Sequence, residues 1–345
     1  MRHFSMIDHQ SYMCRALELA ALGLGNVSPN PLVGCVIVEN NQIIGEGYHE
    51  RFGEAHAEVN AVNSVHDKSL LQKSTVYVTL EPCSHFGKTP PCADLLIDNQ
   101  VRKVIIAIED PNPKVAGRGI QKLKDAGIEV ELGLCKTDAY QVNRRFFTAF
   151  SKKRPYIILK WAETADGYIA RENYDSKWIS NEYSRSLVHS WRAEEDAILV
   201  GKNTAYHDNP KLTVRGIIGK NPLRVVVDRK LELDPELDLF SDGLSTVCYN
   251  TTQSKTVGKT EYVKIGDKNF LSNLLKDLNS RDIQSVIVEG GSQLLSSFIE
   301  LDLWDEARVF KTKTFFNQGI PAPHLHLPYS EETLIDDKLL TYHNH

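Results

Sequence analysis

The chain has little cysteine for its length: six thiols scattered over 345 residues. Small secreted scaffolds concentrate their cysteines in a short domain, so a disulfide framework is excluded. Long apolar runs are missing too. No eighteen-residue stretch is free of polar residues, which argues against a membrane span. The one apolar stretch near the N-terminus, Ala16 to Leu24, is interrupted by Glu18 and adjoined by Arg15, so it reads as an amphipathic helix and not a leader peptide. An excess of one charge is absent: 40 Lys and Arg stand against 45 Asp and Glu, a net −5. That balance argues against a broad nucleic-acid surface. There is no internal repeat and no low-complexity tract. A dinucleotide fingerprint is also lacking. "GLGNVS" at Gly23 runs into prolines, and "AGRGIQ" around Gly117 opens a helix without the acidic residue expected at the next strand end.

What is present is a globular composition, 41% hydrophobic and 25% charged, in a chain long enough for two cores. The first part alternates helix and strand: a helix over Asp8–Leu24, "LVGCVIV", a turn at Asn40-Asn41, "QIIGEGYH", a helix from "HAE", "TVYVTLEP", a helix with Pro91 at its start, "VRKVIIAIED", then helix and strand in "GIQKLKDAGIEVELG". Strands separated by helices predict an α/β domain with parallel pairing. At "RRFFTAFSKKRP" the text turns basic and aromatic, which places the break at 148/149. Residues 149–345 repeat the grammar, with strands at "YIILKWA", "DAILVG", "LRVVVD", "STVCYN" and "SVIVEGG" and helices at "SNEYSRSLVHSWRAE", "NFLSNLLKDLNSR" and "SQLLSSFIELDL".

One constellation carries chemistry. "EAHAEVNAV" puts His56 and Glu58 at a helix start, and "TLEPCSHFGKTPPC" supplies Cys83 and Cys92. Catalytic zinc takes three nitrogen or thiolate ligands and leaves a position for water, whose proton is then lost near neutral pH. His56, Cys83 and Cys92 make such a set. Glu58, about 200° around the helix from His56, can serve as the acid and base that moves protons from water to a leaving amine. H-A-E followed by P-C and a second Cys is a zinc-deaminase signature. The competing reading is a closed structural site with His85 or Cys35 as fourth ligand. Cys14, Cys35, Cys135 and Cys248 read as buried thiols.

Together "SPNPLVGCVIV", "GEAHAEVNAV", "TLEPCSHFGKTPPC", "IEDPNPKVAGRGI" and "LKDAGIEV" closely resemble the riboflavin-biosynthesis deaminases. The long spacer between Cys83 and Cys92 sets them apart from the P-C-x-x-C deaminases. The resemblance implies a cytidine-deaminase-like α/β/α fold and a pyrimidine substrate bearing a phosphoribosylamino group. It also implies substrate contacts at Asn30, His49, Lys88 and Asp110.

In the second part "SVIVEGGSQLLSSF" runs strand, Gly290-Gly291, helix, an arrangement whose free N–H groups suit a phosphate. With "LKWAETADGYIA", "DSKWIS", "WRAEEDAILVGKNTAYHDNPKLTVR" and "LRVVVDRKLEL" it resembles the reductase half of bifunctional riboflavin-biosynthesis enzymes, whose fold is that of dihydrofolate reductase. The resemblance implies NADPH contacts at Glu163, Trp178, Thr204, Asp208, Arg229 and Gly291, Ser292, Gln293, Leu294, Leu295, Ser296 and Ser297. Substrate contacts are implied at Ser176, Arg192, Leu212, Arg215 and Glu289. Lys202 and Arg229, each just after a strand, are cations placed to grip a 2′-phosphate. "KWAETADG" departs from relatives at Glu163 and Ala165.

The sequence therefore predicts a bifunctional α/β enzyme, with one Zn2+ per chain and NADPH as cofactors. It is expected in the cytoplasm as a homo-oligomer, dimer or tetramer, acting on a small-molecule pyrimidine ribose phosphate, with no nucleic acid or membrane as partner. Two rivals remain. One is a nucleic-acid base deaminase with an appendage; the other is a zinc-stabilised binding module, which would have no use for Glu58.

Overall fold

A strand buried on both faces must be apolar at nearly every position, and "GCVIVE" meets that requirement: its first five residues are all buried. In the computed structural model, which describes residues 8–84, 90–112, 115–176 and 179–344, this stretch is β1 (Gly34–Glu39), following helix α1 (His9–Ala21). The first unit continues with β2 (Gln42–Tyr48), α2 (Ala57–Ser64), β3 (Thr75–Val78), α3 (Cys92–Asp98), β4 (Lys103–Ile106), α4 (Arg118–Asp125), β5 (Glu129–Leu132), α5 (Lys136–Val142) and α6 (Arg144–Ser151).

The five strands are ordered β2-β1-β3-β4-β5. Parallel pairing holds only for β3-β4-β5. β1 is antiparallel to both neighbours; its pairing with β2 follows from Asn40 and Asn41, which at φ 49° and 60° close a tight hairpin. The chain divides into two compact units between Lys152 and Lys153, slightly past the expected break. The reason is α6, whose Phe147 packs with Leu17, Ile105 and Ala139 inside the first unit.

The second unit contains β6 (Tyr156–Glu163), β7 (Tyr168–Ala170), α7 (Glu182–Glu194), β8 (Ala197–Gly201), α8 (Lys202–Asp208), β9 (Leu223–Val227), α9 (Asp238–Ser241), β10 (Thr246–Asn250), β11 (Lys255–Val257), β12 (Thr260–Lys264), α10 (Phe270–Ser280), β13 (Ser285–Glu289), α11 (Ser292–Glu300), β14 (Glu306–Lys311), β15 (Ile320–Pro321), β16 (Tyr329–Leu334) and β17 (Asp337–His343). Its main sheet is ordered β11-β12-β10-β9-β8-β13-β6-β14-β17-β16. The run from β12 to β14 is parallel, with antiparallel strands at both ends. Helices cover both faces of such a sheet, which explains the aliphatic runs of β8 and β13. The thiols divide differently from expectation: Cys35 and Cys248 are buried, but Cys14 is exposed and Cys135 only half-buried. Cys14 sits on the solvent side of α1, one position past the buried Met13.

Candidate active sites

In the first unit the three expected donors converge. His56 is the N-cap of α2, Cys92 is the first residue of α3, and Cys83 follows β3. The ligand atoms of His56, Cys83 and Cys92 lie within 4.8 Å of one another, the one such group among the described residues. His56 Nδ1 is 3.3 Å from Cys92 Sγ and 3.6 Å from Cys83 Sγ, and the Cys92 N–H donates to Cys83 Sγ at 3.3 Å. A hydrogen bond from Cys92, then one from His56, lowers the Cys83 thiol, which favours a thiolate there for a cation. One imidazole and two sulfur donors, with no fourth side chain joining them among the described residues, fit zinc with an open position. Cys35 is not part of the group: it lies on β1 opposite Val78, in the core. His85 lies outside the described residues.

Glu58 sits in the first turn of α2, 3% exposed. Burial, with the Cys83 thiolate, pushes its carboxyl up to about 7, while His56 and Cys92 oppose. His49 is buried. Its Nδ1 pairs with the Ala55 carbonyl and its Nε2 with the Asn30 amide, both at 3.0 Å. Burial lowers the imidazole's proton affinity, which keeps it neutral and able to accept from Asn30. Its ring meets that of His56 edge-on at 5.4 Å. Asp110 follows β4, with Oδ1 accepting from the Asn112 N–H at 2.7 Å. Lys88 lies outside the described residues.

In the second unit a cleft of about 1310 Å³ opens at the ends of the parallel strands. Ser176, Arg192, Leu212, Arg215 and Glu289 line it. So do Thr204, Asp208, Arg229, Ser297 and the start of α11 from Gly291 to Leu294. The Gly291 N–H donates to Thr204 Oγ1 at 2.8 Å, tying the glycine turn to α8. A Cβ on Gly290 or Gly291 would meet nothing closer than 3.4 Å. Protein packing therefore does not demand glycine there, whereas close approach of a ligand would.

Three expected cofactor contacts are not in this cleft. The Glu163 side chain turns to the opposite side of β6, where it accepts from Trp161 Nε1 at 2.9 Å, lies 3.6 Å from Lys311 and lines a separate cavity of about 360 Å³. Leu295 is fully buried in the hydrophobic core, because helix periodicity turns it inward with Phe298. Ser296, beside it, does not reach the lining either. Trp178 lies outside the described residues.

Of the two arginines, Arg192 is already engaged. Its Nε and a terminal nitrogen fork onto Glu289 at 2.8 and 2.7 Å, and its other terminal nitrogen reaches the Thr213 carbonyl at 3.2 Å. Burial would raise the Glu289 carboxyl, but Arg192 and Lys160 outweigh it and hold it at about 2. Arg215 is exposed and has no carboxylate partner among the described residues. Lys202 pairs with Glu232, and Arg229 with Asp267 at 2.9 Å and over the Phe270 ring at 4.5 Å.

Sequence reasoning missed Lys160 and His189, which also line the cleft. Loss of hydration lowers both groups' proton affinity; Glu289 opposes it and Arg192 adds to it. The signal for Lys160 was available: a lysine interrupting the buried strand text "YIILKWA" is costly unless it has work to do.

Residues 6–108 match the cytidine and deoxycytidylate deaminase zinc-binding region, and residues 155–315 match the RibD C-terminal domain. The riboflavin biosynthesis protein RibD of Aquifex aeolicus is 40% identical, the match covering 94% of this chain and 92% of that protein. RibD of Escherichia coli is 38% identical over 88% of this chain and 87% of its own. Among solved structures, a diaminohydroxyphosphoribosylaminopyrimidine deaminase/5-amino-6-(5-phosphoribosylamino)uracil reductase from Thermotoga maritima superposes with TM-score 0.88 at 38% identity, covering 97% of this chain and 98% of that one. Acinetobacter baumannii RibD does so at 0.88 with 36% identity and the same coverage.

Proposed function

The chain belongs to the RibD family of riboflavin-biosynthesis proteins, and from that premise we propose which of its residues carry each reaction. It is a bifunctional enzyme, a zinc-binding deaminase followed by an NADPH-dependent reductase. Our reading of the substrate is the one printed for the Thermotoga relative, a diaminopyrimidinone bearing a phosphoribosylamino group. The observation that carries the reading is the convergence of His56, Cys83 and Cys92 beside a buried Glu58.

We assign the three donors to zinc and proton transfer to Glu58. Bound zinc supplies Lewis acidity that makes water an effective nucleophile near neutral pH. Glu58 accepts the proton of the attacking water at its carboxylate and returns protons to the ring nitrogen and the departing ammonia. Asn30, held by His49, together with Lys88 and Asp110, orients the pyrimidine and its phosphate.

When bound, NADPH would supply the hydride that reduces C1′ of the opened ribosyl chain, with the accompanying proton coming from solvent. The open N-terminus of α11 and the Gly290-Gly291 turn receive cofactor phosphates, with Thr204 and Asp208 alongside. Lys202 and Arg229 are assigned to the 2′-phosphate, exchanging exposed carboxylate partners for it. Ser176, Leu212 and Arg215 hold the substrate, Arg215 as its phosphate cation. Glu289, kept ionised by Arg192, faces the sugar. Glu163, Leu295 and Ser296 are left as structural residues.

We further propose a cytoplasmic homo-oligomer. Thiolate ligands at Cys83 and Cys92 require a reducing compartment, and β16, at the edge of the main sheet, leaves backbone groups free for pairing with another copy. Incubation with the diaminopyrimidine phosphate and NADPH tests the reading. Ammonia release followed by stoichiometric NADPH oxidation, with the ribityl product identified by mass, is the expected outcome. Ammonia without NADPH oxidation would refute the reductase assignment.

A further inference from the structure

Glu81 stands two residues before Cys83 and is 4% exposed. Burying a carboxylate is costly unless it is paired or hydrogen-bonded, and no lysine or arginine pairs with Glu81 among the described residues. Its partners are backbone amides. Oε2 accepts from the N–H of Asp110 at 3.3 Å and of Gly117 at 3.0 Å. Oε1 accepts from Gly119 at 2.9 Å and Ile120 at 3.2 Å. The N–H of Glu81 itself donates to the Ile108 carbonyl at 3.0 Å. One carboxylate thus ties the exit of β4, the Asp110 turn and the start of α4 to the segment that delivers Cys83.

The approach is close. A Cβ on Gly119 would fall 2.0 Å from the Pro82 carbonyl oxygen, so α4 rests directly on the backbone preceding Cys83. Capping α4 would need only the bonds to its first-turn amides. The bond to Asp110 lies outside that helix and has no capping purpose.

We propose that Glu81 is a positioning residue of the deaminase: its carboxylate fixes the Asp110 turn relative to the Cys83 turn, and so sets where the phosphoribosylamino-pyrimidine sits against the metal centre. This rests on the reading that Asp110 contacts substrate. Glu81 acts through Asp110, so its contribution disappears when Asp110 is already disabled.

A double-mutant cycle in the full-length, zinc-loaded enzyme tests this, reading KM and kcat for ammonia release. Glu81→Gln keeps the shape, but it replaces one acceptor oxygen by an NH2 group facing N–H donors. In the native background it is expected to raise KM at least about tenfold, and in an Asp110→Asn background by less than about twofold. Zinc content and NADPH oxidation on supplied deaminated substrate should not change. Equal factors in both backgrounds, or a lowered melting temperature with native KM, would make Glu81 a plain structural cap and overturn the inference. Asp110→Asn alone judges the underlying reading: an unchanged KM would remove Asp110 from the substrate and the inference with it. Should Glu81→Gln fail to fold, Glu81→Asp, which keeps the charge on a shorter stem, is carried through the same cycle. Loss of zinc in that variant as well would assign Glu81 to the metal site alone and overturn substrate positioning.

Discussion

Two carboxylates of opposite character mark the two sites. Glu58 is buried with no lysine or arginine against it among the described residues, and burial drives its proton affinity up; Glu289 is buried against Arg192 and stays ionised to about 2. Glu58→Gln keeps the volume and loses the base. Ammonia release should fall about 10²–10⁴-fold in kcat, while zinc content and reduction of supplied deaminated substrate persist; loss of zinc with activity would make Glu58 structural. For Glu289 the folded value lies below the ordinary 4.5, so its stabilisation is complete above about 4.5 and is lost as pH falls toward 2. Glu289→Gln leaves the Arg192 guanidinium buried and unpaired, a loss of about 3 kcal/mol near neutral pH. Since protonation of native Glu289 has the same effect, the gap between wild type and variant in denaturant midpoint should narrow to about half as the solution is acidified from about pH 5 to about pH 3, and close only toward pH 2. A gap that stays constant would show that the ion pair is not its source. His56, Glu58, Cys83 and Cys92 were legible because metal ligation ties residue type to short spacing. Glu81 was not, for it works by accepting amides 29 to 39 residues away, which any residue type can supply.

Helices and strands show the same divide between local and distant causes. The hairpin at Asn40-Asn41, the Pro91 start of α3 and the glycine turn before α11 were readable because each needs a particular residue at a particular place. The antiparallel pairing of β1 with β3 and the β14-β17-β16 end of the second sheet were not. Of these strands β16 is solvent-facing, and β1 and β17 find their partners β3 and β14 far along the chain, so local residue pattern does not decide the pairing. The α5–α6 junction is a case where one side chain substitutes for a strand partner. Asn143 Nδ2 donates to the Leu32 carbonyl at 2.7 Å and its Oδ1 accepts from the Leu32 N–H at 2.8 Å, across 111 residues. Both residues are buried, so Asn143→Ala would strand a donor and an acceptor at about 1–3 kcal/mol each. The expected result is a loss of about 2–5 kcal/mol in denaturant unfolding of the first unit, with a raised deaminase KM because the loop carrying Asn30 is released. Native stability in the variant would mean water satisfies Leu32 equally well.

Each unit has its own interior. Val76, Leu96, Val104 and Leu123 cluster in the first, and Leu159, Leu274, Val288 and Phe298 in the second. Each also has a different ligand tied to its stability. On the proposed assignment, zinc held by His56, Cys92 and Cys83 would join α2, α3 and the turn after β3, and its binding energy would be folding energy for the first unit. NADPH bears only on the second, and at about 100 times its dissociation constant it adds about 2.7 kcal/mol, or roughly 5–10 °C in a domain of this size. Thermal unfolding should therefore resolve two transitions. A chelator should lower one of them and abolish ammonia release, while leaving the NADPH-induced rise of the other and NADPH oxidation on deaminated substrate intact. Calorimetry with and without each ligand distinguishes the cases. A single transition moved by both ligands, or loss of the NADPH shift on chelation, would mean that the units fold as one cooperative body and that the metal supports the reductase as well.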